Sequence, residues 1–356
     1  MAGLLSIGAR AMLANTAALQ TISQNIANAN TPGYSRQSAV LTTSPGQFTG
    51  AGFFGRGVDV TTVVRAHNDF LTNEAANTAA IASQDSTRME QLQRLEKVFR
   101  PGTDGIGYSA SQFLNSMVDV TSRPNDPSAR QVALGRAAEL SARFTSAGAQ
   151  LDQMQAGVVG DLKARVVVIN QLADQIAQIN GLIAKTKGTG HEPNDLLDQR
   201  ERLISDLSSH IAVTTLPADD GTVGVFIGGG QRLVLGNAAQ QLEVGADAYD
   251  PAKATLNLRE GAKLRNLDAS VLTGGAVTAL LAFQNEDLTD ARNMLGQLAA
   301  SFGTRINTQN GLGLDLSNPP GKGAAILNVA SPRVMPADTN QRDPIGSFVS
   351  GISASI

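Results

Sequence analysis

Residues 25–37, which read NIANANTPGYSRQ, decide where the first helix of this chain ends and how the chain leaves it. Asparagine favours turns, Pro32 has no backbone donor, and Gly33 accepts a positive φ, so a helix cannot continue through this stretch. The segment QSAVLTT that follows suits a strand. The stretch therefore predicts a helix, a sharp turn and a strand. The residues assigned to this motif are Asn25, Asn28, Asn30, Thr31, Pro32, Gly33, Tyr34 and Arg36.

The helix before the turn carries a regular apolar stripe. Its members recur every seven residues, with one addition on the same side: Leu5, Met12, Leu19, Ile26 and Ile22. Such spacing keeps one stripe facing one partner helix, as in a coiled-coil seam. A membrane-surface helix would carry Lys and Arg on its polar face and Trp or Phe opposite. Because Arg10 is the only charged residue before the turn, the stripe predicts packing against partner helices.

The amino-acid composition excludes several classes of function for this chain. The 356 residues suffice for two or three domains. The net charge of −3 lacks the basic footprint of a nucleic-acid-binding protein, and the absence of cysteine excludes disulfides and thiol chemistry. No apolar run suffices for a membrane span, and the first residues lack the basic and then apolar pattern of a secretory signal peptide, so we expect none.

Charge is unevenly distributed. Residues 1–64 contain only Arg10, Arg36, Arg56 and Asp59, although 17% of the whole chain is charged. Such a segment can be surrounded by protein without burying unpaired charges, which indicates an assembly surface. A poorly ordered arm rich in Ala, Asn and Thr is the alternative interpretation.

The remaining pattern is mostly helical. Helices are predicted over residues 67–99, 111–121, 128–187, within 191–207, and over 276–309. Asp126 is the candidate N-cap of the longest helix and Pro127 its first residue, while Gly148, Gly157 and Gly160 could bend it. Its end carries a predicted packing seam for neighbouring helices: Ile169, Leu172, Ile176, Ile179 and Ile183. Short alternating runs after residue 211 predict a small antiparallel sheet, and residues 324–356 suggest the first strands of another domain.

No pattern predicts an enzyme. His67, His191 and His210 lack metal-ligand spacing. The glycine-rich FIGGGQRLVLG precedes a strand, which indicates a hairpin rather than a phosphate cradle. Helix-start electrostatics and salt bridges to Arg200 and Arg202 account for three nearby acids, Asp195, Asp198 and Glu201. We therefore predict no catalytic residues, metal, cofactor or small-molecule substrate.

Three stretches, NTPGYSRQ, PNDPSARQ and PNDLLDQRERL, resemble the bacterial flagellar axial proteins, and most closely the hook-associated protein 1 family. The resemblance implies a mainly α fold with a small β part (α+β), in which an assembly helix precedes an elongated helical-bundle rod domain. It also implies an extracellular structural subunit of the flagellum that joins hook to filament after type III export, without a cleaved signal peptide. A rod or hook protein, or a secreted coiled-coil binding protein, is the alternative.

The resemblance also implies partners and a domain order. The partners are copies of the chain in a ring, the hook protein on one side, the next junction or filament protein on the other, and the export apparatus, with no nucleic acid or membrane insertion. We expect an assembly helix and linker over 1–65, a helical rod over 66–210 and 263–312, a β insertion over 211–262, and an outer β domain begun by 313–356. The family continues with a returning helix and a C-terminal helix, so we expect a fragment or truncated product.

Overall fold

The computed structural model describes residues 2–50, 52–186 and 192–330. Helix α1 (Ala2–Ala27) ends where the sequence predicts, and Gly33 adopts a positive φ of 75° in the turn. No other residue type among those described has a positive φ, so the asparagines of the turn do not use the left-handed conformation. Strand β1 (Gln37–Thr43) follows as predicted.

Strands β1 and β4 (Val58–Arg65) form a long antiparallel hairpin with an irregularity between Val40 and Leu41. Two short strands, β2 (Gln47–Thr49) and β3 (Gly52–Phe54), pair with each other between them. Helix α1 packs on β1 and β4. The hairpin therefore supports the first helix from one side.

The predicted helices occur. They are α2 (Asp69–Glu96), α3 (Ile106–Ser122), α4 (Pro127–Thr186) and α5 (Asn194–His210). The Ser128 N–H donates to Asp126 Oδ1 at 2.9 Å, which confirms Asp126 as a cap, and α4 runs without a break through its glycines. His191 lies outside the described residues.

The β region forms two sheets rather than the single small sheet predicted. One has the order β5 (Val213–Pro217), β6 (Val223–Ile227), β7 (Gln231–Leu235) and β8 (Ala238–Ala239). The other has the order β11 (Lys263–Leu267), β10 (Ala254–Glu260) and β9 (Leu242–Ala246). The glycine-rich stretch is the β6–β7 hairpin, as predicted, with positive φ at Gly229 and Gly230. The fold is thus mainly α with a small β part.

The last helical region is interrupted. Helix α6 (Ala276–Ala282) continues through a π-helical turn (Phe283–Asp287) into α7 (Leu288–Gly311). The strands expected from residue 324 do not occur in residues 324–330, because Asn307 and Asn310 of α7 bind the backbone of Ala324, Ile326 and Leu327. The rest of that expected domain, 331–356, lies outside the described residues.

The chain divides into two compact units, which we describe separately. The first contains residues up to 84, 165–242 and 258–276, and the second contains 85–164, 243–257 and residues from 277 onward. The core of the first includes Ile169, Ile176 and Leu207, so the predicted seam of α4 is buried except at Leu172, which is half-buried. This part of α4 also faces sheet residues, because Asn180 donates to the carbonyls of Val223 and Gly236. The core of the second includes Phe113, Leu140, Leu151, Phe283 and Leu288.

Candidate functional site

Helix α1 has a face of small residues that packs on its own hairpin. Ala14 is only 2% exposed, Thr21 is also buried, and Ala17 and Ala18 are half-buried. Near the helix start, Arg10 Nη1 donates to both carboxylate oxygens of Asp59 at 2.8 and 2.9 Å and to Ser44 Oγ at 2.6 Å. Small side chains let the helix lie close to the strands, and the charged contacts hold its first turns there.

The predicted stripe lies on nearly the opposite side of α1, as the spacing of 3.6 residues per turn requires. Its members are between 52% and 76% exposed: Leu5, Met12, Leu19, Ile22 and Ile26. Covering one such side chain contributes roughly 1.5–3 kcal/mol, so five together form a strong adhesive surface. That this surface packs against a partner stays a prediction.

Asn25 connects the end of α1 to the strand that follows it. Its Nδ2 donates to the Gln37 carbonyl at 2.8 Å, and its Oδ1 accepts the Gln37 N–H and the Tyr34 hydroxyl, both at 2.8 Å. One side chain thus fixes the direction in which the chain leaves the helix. The sequence placed these residues in one motif but did not predict that Asn25 binds the other two.

The remaining motif residues form the turn between helix and strand. Asn28 Nδ2 donates to the Gln24 carbonyl at 3.1 Å, and Thr31 Oγ1 donates to Asn28 Oδ1 at 3.2 Å. Four residues at its outer edge are exposed: Asn30, Thr31, Pro32 and Gly33. Arg36 is also exposed and contributes its carbonyl to the Ala66 N–H at 2.7 Å. A side chain at Gly33 would be strained by its positive φ and would lie 3.1 Å from Arg202 Nε.

The first turns of α5 bind the base of the hairpin through their carboxylates. Asp198 accepts the Ser35 N–H and Arg65 Nη1, each at 2.9 Å, and Arg65 also pairs with Glu201. Glu201 further contacts His67 Nδ1 at 3.2 Å. We call Arg65, Asp198 and Glu201 the ionic clamp. Both Arg65 and Asp198 are nearly inaccessible to solvent, with side chains 9% and 4% exposed.

The ionic clamp corrects the salt bridges predicted for these acids. Arg65 is the partner of Asp198 and Glu201, rather than Arg200 and Arg202. Arg200 instead donates to the Gly221 carbonyl at 2.8 Å and to Asn180 Oδ1 at 3.3 Å. The sequence did not indicate Arg65, because it lies 133 positions from Asp198 along the chain.

The environment fixes the protonation of two groups at the motif. Burial lowers the pKa of Arg65, but hydrogen bonds to Glu201 and Asp198 and their charges outweigh it, so the pKa rises above its ordinary value. The pKa of Tyr34 is raised by burial and then by the charges of Asp195 and Asp198. Arg65 therefore stays cationic, and Tyr34 keeps the proton that it donates to Asn25.

We next consider metal sites, grooves and membrane-spanning helices among the described residues. In residues 2–50, 52–186 and 192–330, no three His, Cys, Asp or Glu side chains could share a metal ion. A groove of about 750 Å³ in the second unit is mostly apolar, with Leu92, Leu95, Phe99, Met294 and Leu298 among its lining residues. No helix in the described part of the chain has the length and hydropathy needed to span a bilayer.

Comparisons with known proteins find flagellar proteins. Residues 92–324 match the model of the flagellar hook-associated protein FlgK helical domain, and residues 5–34 match that of the flagella basal body rod protein. The chain is 32% identical to flagellar hook-associated protein 1 of Salmonella typhimurium over 99% of its length and 64% of the relative's. For the protein of the same name from Escherichia coli, the identity is 31%, over 99% of this chain and 65% of the relative.

A similar fold occurs in a solved structure. The flagellar hook junction protein FlgK from Burkholderia pseudomallei superposes with a TM-score of 0.64 at 35% identity, covering 71% of this chain and 46% of that one. The chain spans about 64% of the length of the first relatives it matches.

Proposed function

The chain belongs to the flagellar hook-associated protein 1 (FlgK) family, and from that premise we propose that it is a non-enzymatic structural subunit that joins hook to filament. The observation that carries this proposal is the exposed stripe of α1 on the side opposite its packed face. A helix held firmly by one face while a second apolar face stays uncovered is suited to binding other helices.

The mechanism we propose is geometric. Asn25 and the turn from Asn28 to Tyr34 set the direction of α1, and the ionic clamp attaches the base of its hairpin to α5. The stripe then packs with equivalent helices of neighbouring copies around a tube. Such contacts join different surfaces of successive copies and continue around a ring. On this proposal residues 1–65 are the assembly arm, and the helices over 66–210 and 263–312, with the β insertion of 211–262, form the next shell.

The remaining partners follow from the family. We propose that the ring contacts hook protein on one side and the next junction or filament protein on the other. We also propose that the chain reaches the outside of the cell through the flagellar type III export apparatus. The rod-protein match at residues 5–34 favours, as the second candidate, a rod or hook subunit. Locating the tagged chain at the hook–filament boundary or within the rod separates the two, and free protein in the medium would favour a secreted binding protein.

The decisive test places a charge on the stripe. We expect Leu19→Asp to abolish incorporation into flagella, because a carboxylate there would be buried unpaired between helices. Leu13→Asp is the matched control, since Leu13 is similarly exposed on α1 but lies off the stripe. Circular dichroism of both variants checks that residues 66–310 stay folded. Normal incorporation of Leu19→Asp would overturn the proposal.

A further inference from the structure

The C-terminus of α5 places the imidazole of His210 against a guanidinium of α4. Arg165 Nη1 lies 3.4 Å from His210 Nδ1, and both side chains are half-buried. A guanidinium can only donate hydrogen bonds, so Nδ1 must be the acceptor, and the neutral ring carries its proton on Nε2. Among the described residues Arg165 forms no salt bridge, so this contact depends on an uncharged imidazole.

The backbone around His210 has little room to move. Ser83 Oγ of α2 donates to the Ser209 carbonyl at 2.6 Å. Gly275 approaches the same helix end so closely that a Cβ there would lie 2.6 Å from the His210 carbonyl carbon, and Ile211 is only 1% exposed. Free carbonyls at a helix C-terminus favour a cation, but the bond from Ser83 already occupies one of them. A new repulsion at the ring can therefore be relieved only by opening this packing.

The charges around the ring oppose its protonation. The charged groups that face it are Arg165 on α4 and Asp206 on α5, while α2 and residues 274–275 contact this helix end through uncharged groups. Burial and then the charge of Arg165 lower the pKa of His210 below its ordinary value, and the exposed Asp206 only partly offsets them.

We propose that His210 is a pH switch that opens the junction between α5 and β5, residues 207–217, in mildly acidic solution. When the imidazole binds a proton, Nδ1 becomes a donor, and the N–H groups of two cations then face each other across the contact. The lost hydrogen bond and the repulsion both favour separation. The same helix holds the ionic clamp nearer its other end, so the switch acts on the element to which the β1–β4 hairpin is attached. The inference goes beyond the proposed function and does not depend on it.

The junction should be most stable in neutral solution. An unperturbed histidine titrates near pH 6.5. Because the pKa of His210 is lower than this in the folded chain, the opened form binds the proton first as the pH falls. The contribution of His210 to stability is therefore fully present above about pH 6.5 and is lost as the pH falls below that value.

Amide hydrogen exchange of the full chain, followed by mass spectrometry, tests the switch. We would measure protection at about pH 7.5 and about pH 5.5, on either side of the ordinary histidine value, and correct for the intrinsic pH dependence of exchange. The second compact unit contains no histidine, so residues 140–151 of α4 are an internal reference. His210→Gln keeps an acceptor of similar length but takes no proton, and Arg165→Gln removes the facing cation while keeping the imidazole.

We expect the protection of residues 207–217 to fall at least about threefold from the higher to the lower pH in the native chain, because the opened form is then mostly protonated. It should stay constant in His210→Gln, and the fall should be smaller in Arg165→Gln. No fall in the native chain, or an equal fall in His210→Gln, would overturn the proposal. So would a fall that extends equally to residues 140–151, or one that is undiminished in Arg165→Gln.

Discussion

At the scale of single residues, Asp198 connects three distant parts of the chain. Its two carboxylate oxygens accept the Ser35 N–H beyond the turn and the Arg65 guanidinium at the end of β4, while its backbone belongs to α5. Charge-assisted hydrogen bonds of this kind are roughly twice as strong as neutral ones. Because the carboxylate is buried, no water can replace either partner without movement of the strands.

We expect Asp198→Ala to lower the free energy of unfolding by about 3 kcal/mol, because it leaves the Arg65 cation buried with Glu201 alone. Urea unfolding followed by circular dichroism measures the change. The control is Glu90→Ala, which removes the exposed pair with Arg94 within α2 and should cost less than about 0.5 kcal/mol. If both variants lost the same free energy of unfolding, the ionic clamp would contribute no more stability than an exposed surface ion pair.

The same residues show which parts of the site are predictable from sequence. Pro32 and Gly33 determine the turn by their own backbone chemistry, so a single stretch sufficed to predict it. The partners of Asn25 and Asp198 depend on how the strands return to the helices. For Asp198 the sequence offered Arg200 and Arg202 nearby, and local spacing favoured them over Arg65. Side-chain pairs between distant segments are where this reasoning fails.

At the scale of elements, helix α4 contains exposed glycines at positions where alanine would make the helix more stable. Gly157 and Gly160 are exposed, and a Cβ at either would meet no atom within 4 Å. We expect Gly157→Ala and Gly160→Ala each to stabilise the chain by roughly 0.5–1 kcal/mol, since alanine loses less backbone entropy in a helix. Thermal and urea unfolding measure the gain.

We expect Gly303→Ala in α7, in contrast, to lower the stability of the chain. There a Cβ would lie 2.5 Å from the Val329 side chain, so the neighbouring segment must move. A loss of stability at position 303, with gains at 157 and 160, would separate backbone entropy from packing. Destabilisation at all three positions would contradict the account of α4.

The helices were predictable and the π-helical turn was not, for a physical reason. Apolar spacing is local, and it extended the last helix across residues 276–309 without a break. The turn contains the buried Gln284, whose Oε1 accepts from Gln155 and from the Ala254 N–H, each at 2.8 Å. Its Nε2 donates to the Ala254 carbonyl at 3.0 Å. A π turn widens a helix by one residue, and the distant groups that bind Gln284 leave no local pattern.

At the scale of the whole molecule, the scarcity of charge in residues 1–64 and the two faces of α1 both fit a helix that is attached on one side and apolar on the other. Few charges in residues 1–64 indicated an assembly surface, and two of those four, Arg10 and Asp59, pair with each other. The pairing holds the helix start on its hairpin while Asn25 holds the end. The arm is therefore attached at both ends by polar contacts, and its apolar side stays available.

We expect Arg10→Ala to release only the first half of α1. The Arg10–Asp59 pair is partly exposed, so its loss should change the global free energy of unfolding by less than about 1 kcal/mol. Local opening of the helix responds more strongly, because Arg10 joins those turns to both Asp59 and Ser44 of the hairpin. Amide hydrogen exchange of the full chain should rise several-fold in residues 2–14, while residues 17–27 near Asn25 keep their protection. Arg56→Ala is the control, since Arg56 is exposed on the same hairpin. A uniform rise across 2–27 would mean that α1 opens as one unit, and then Asn25 could not set its direction alone.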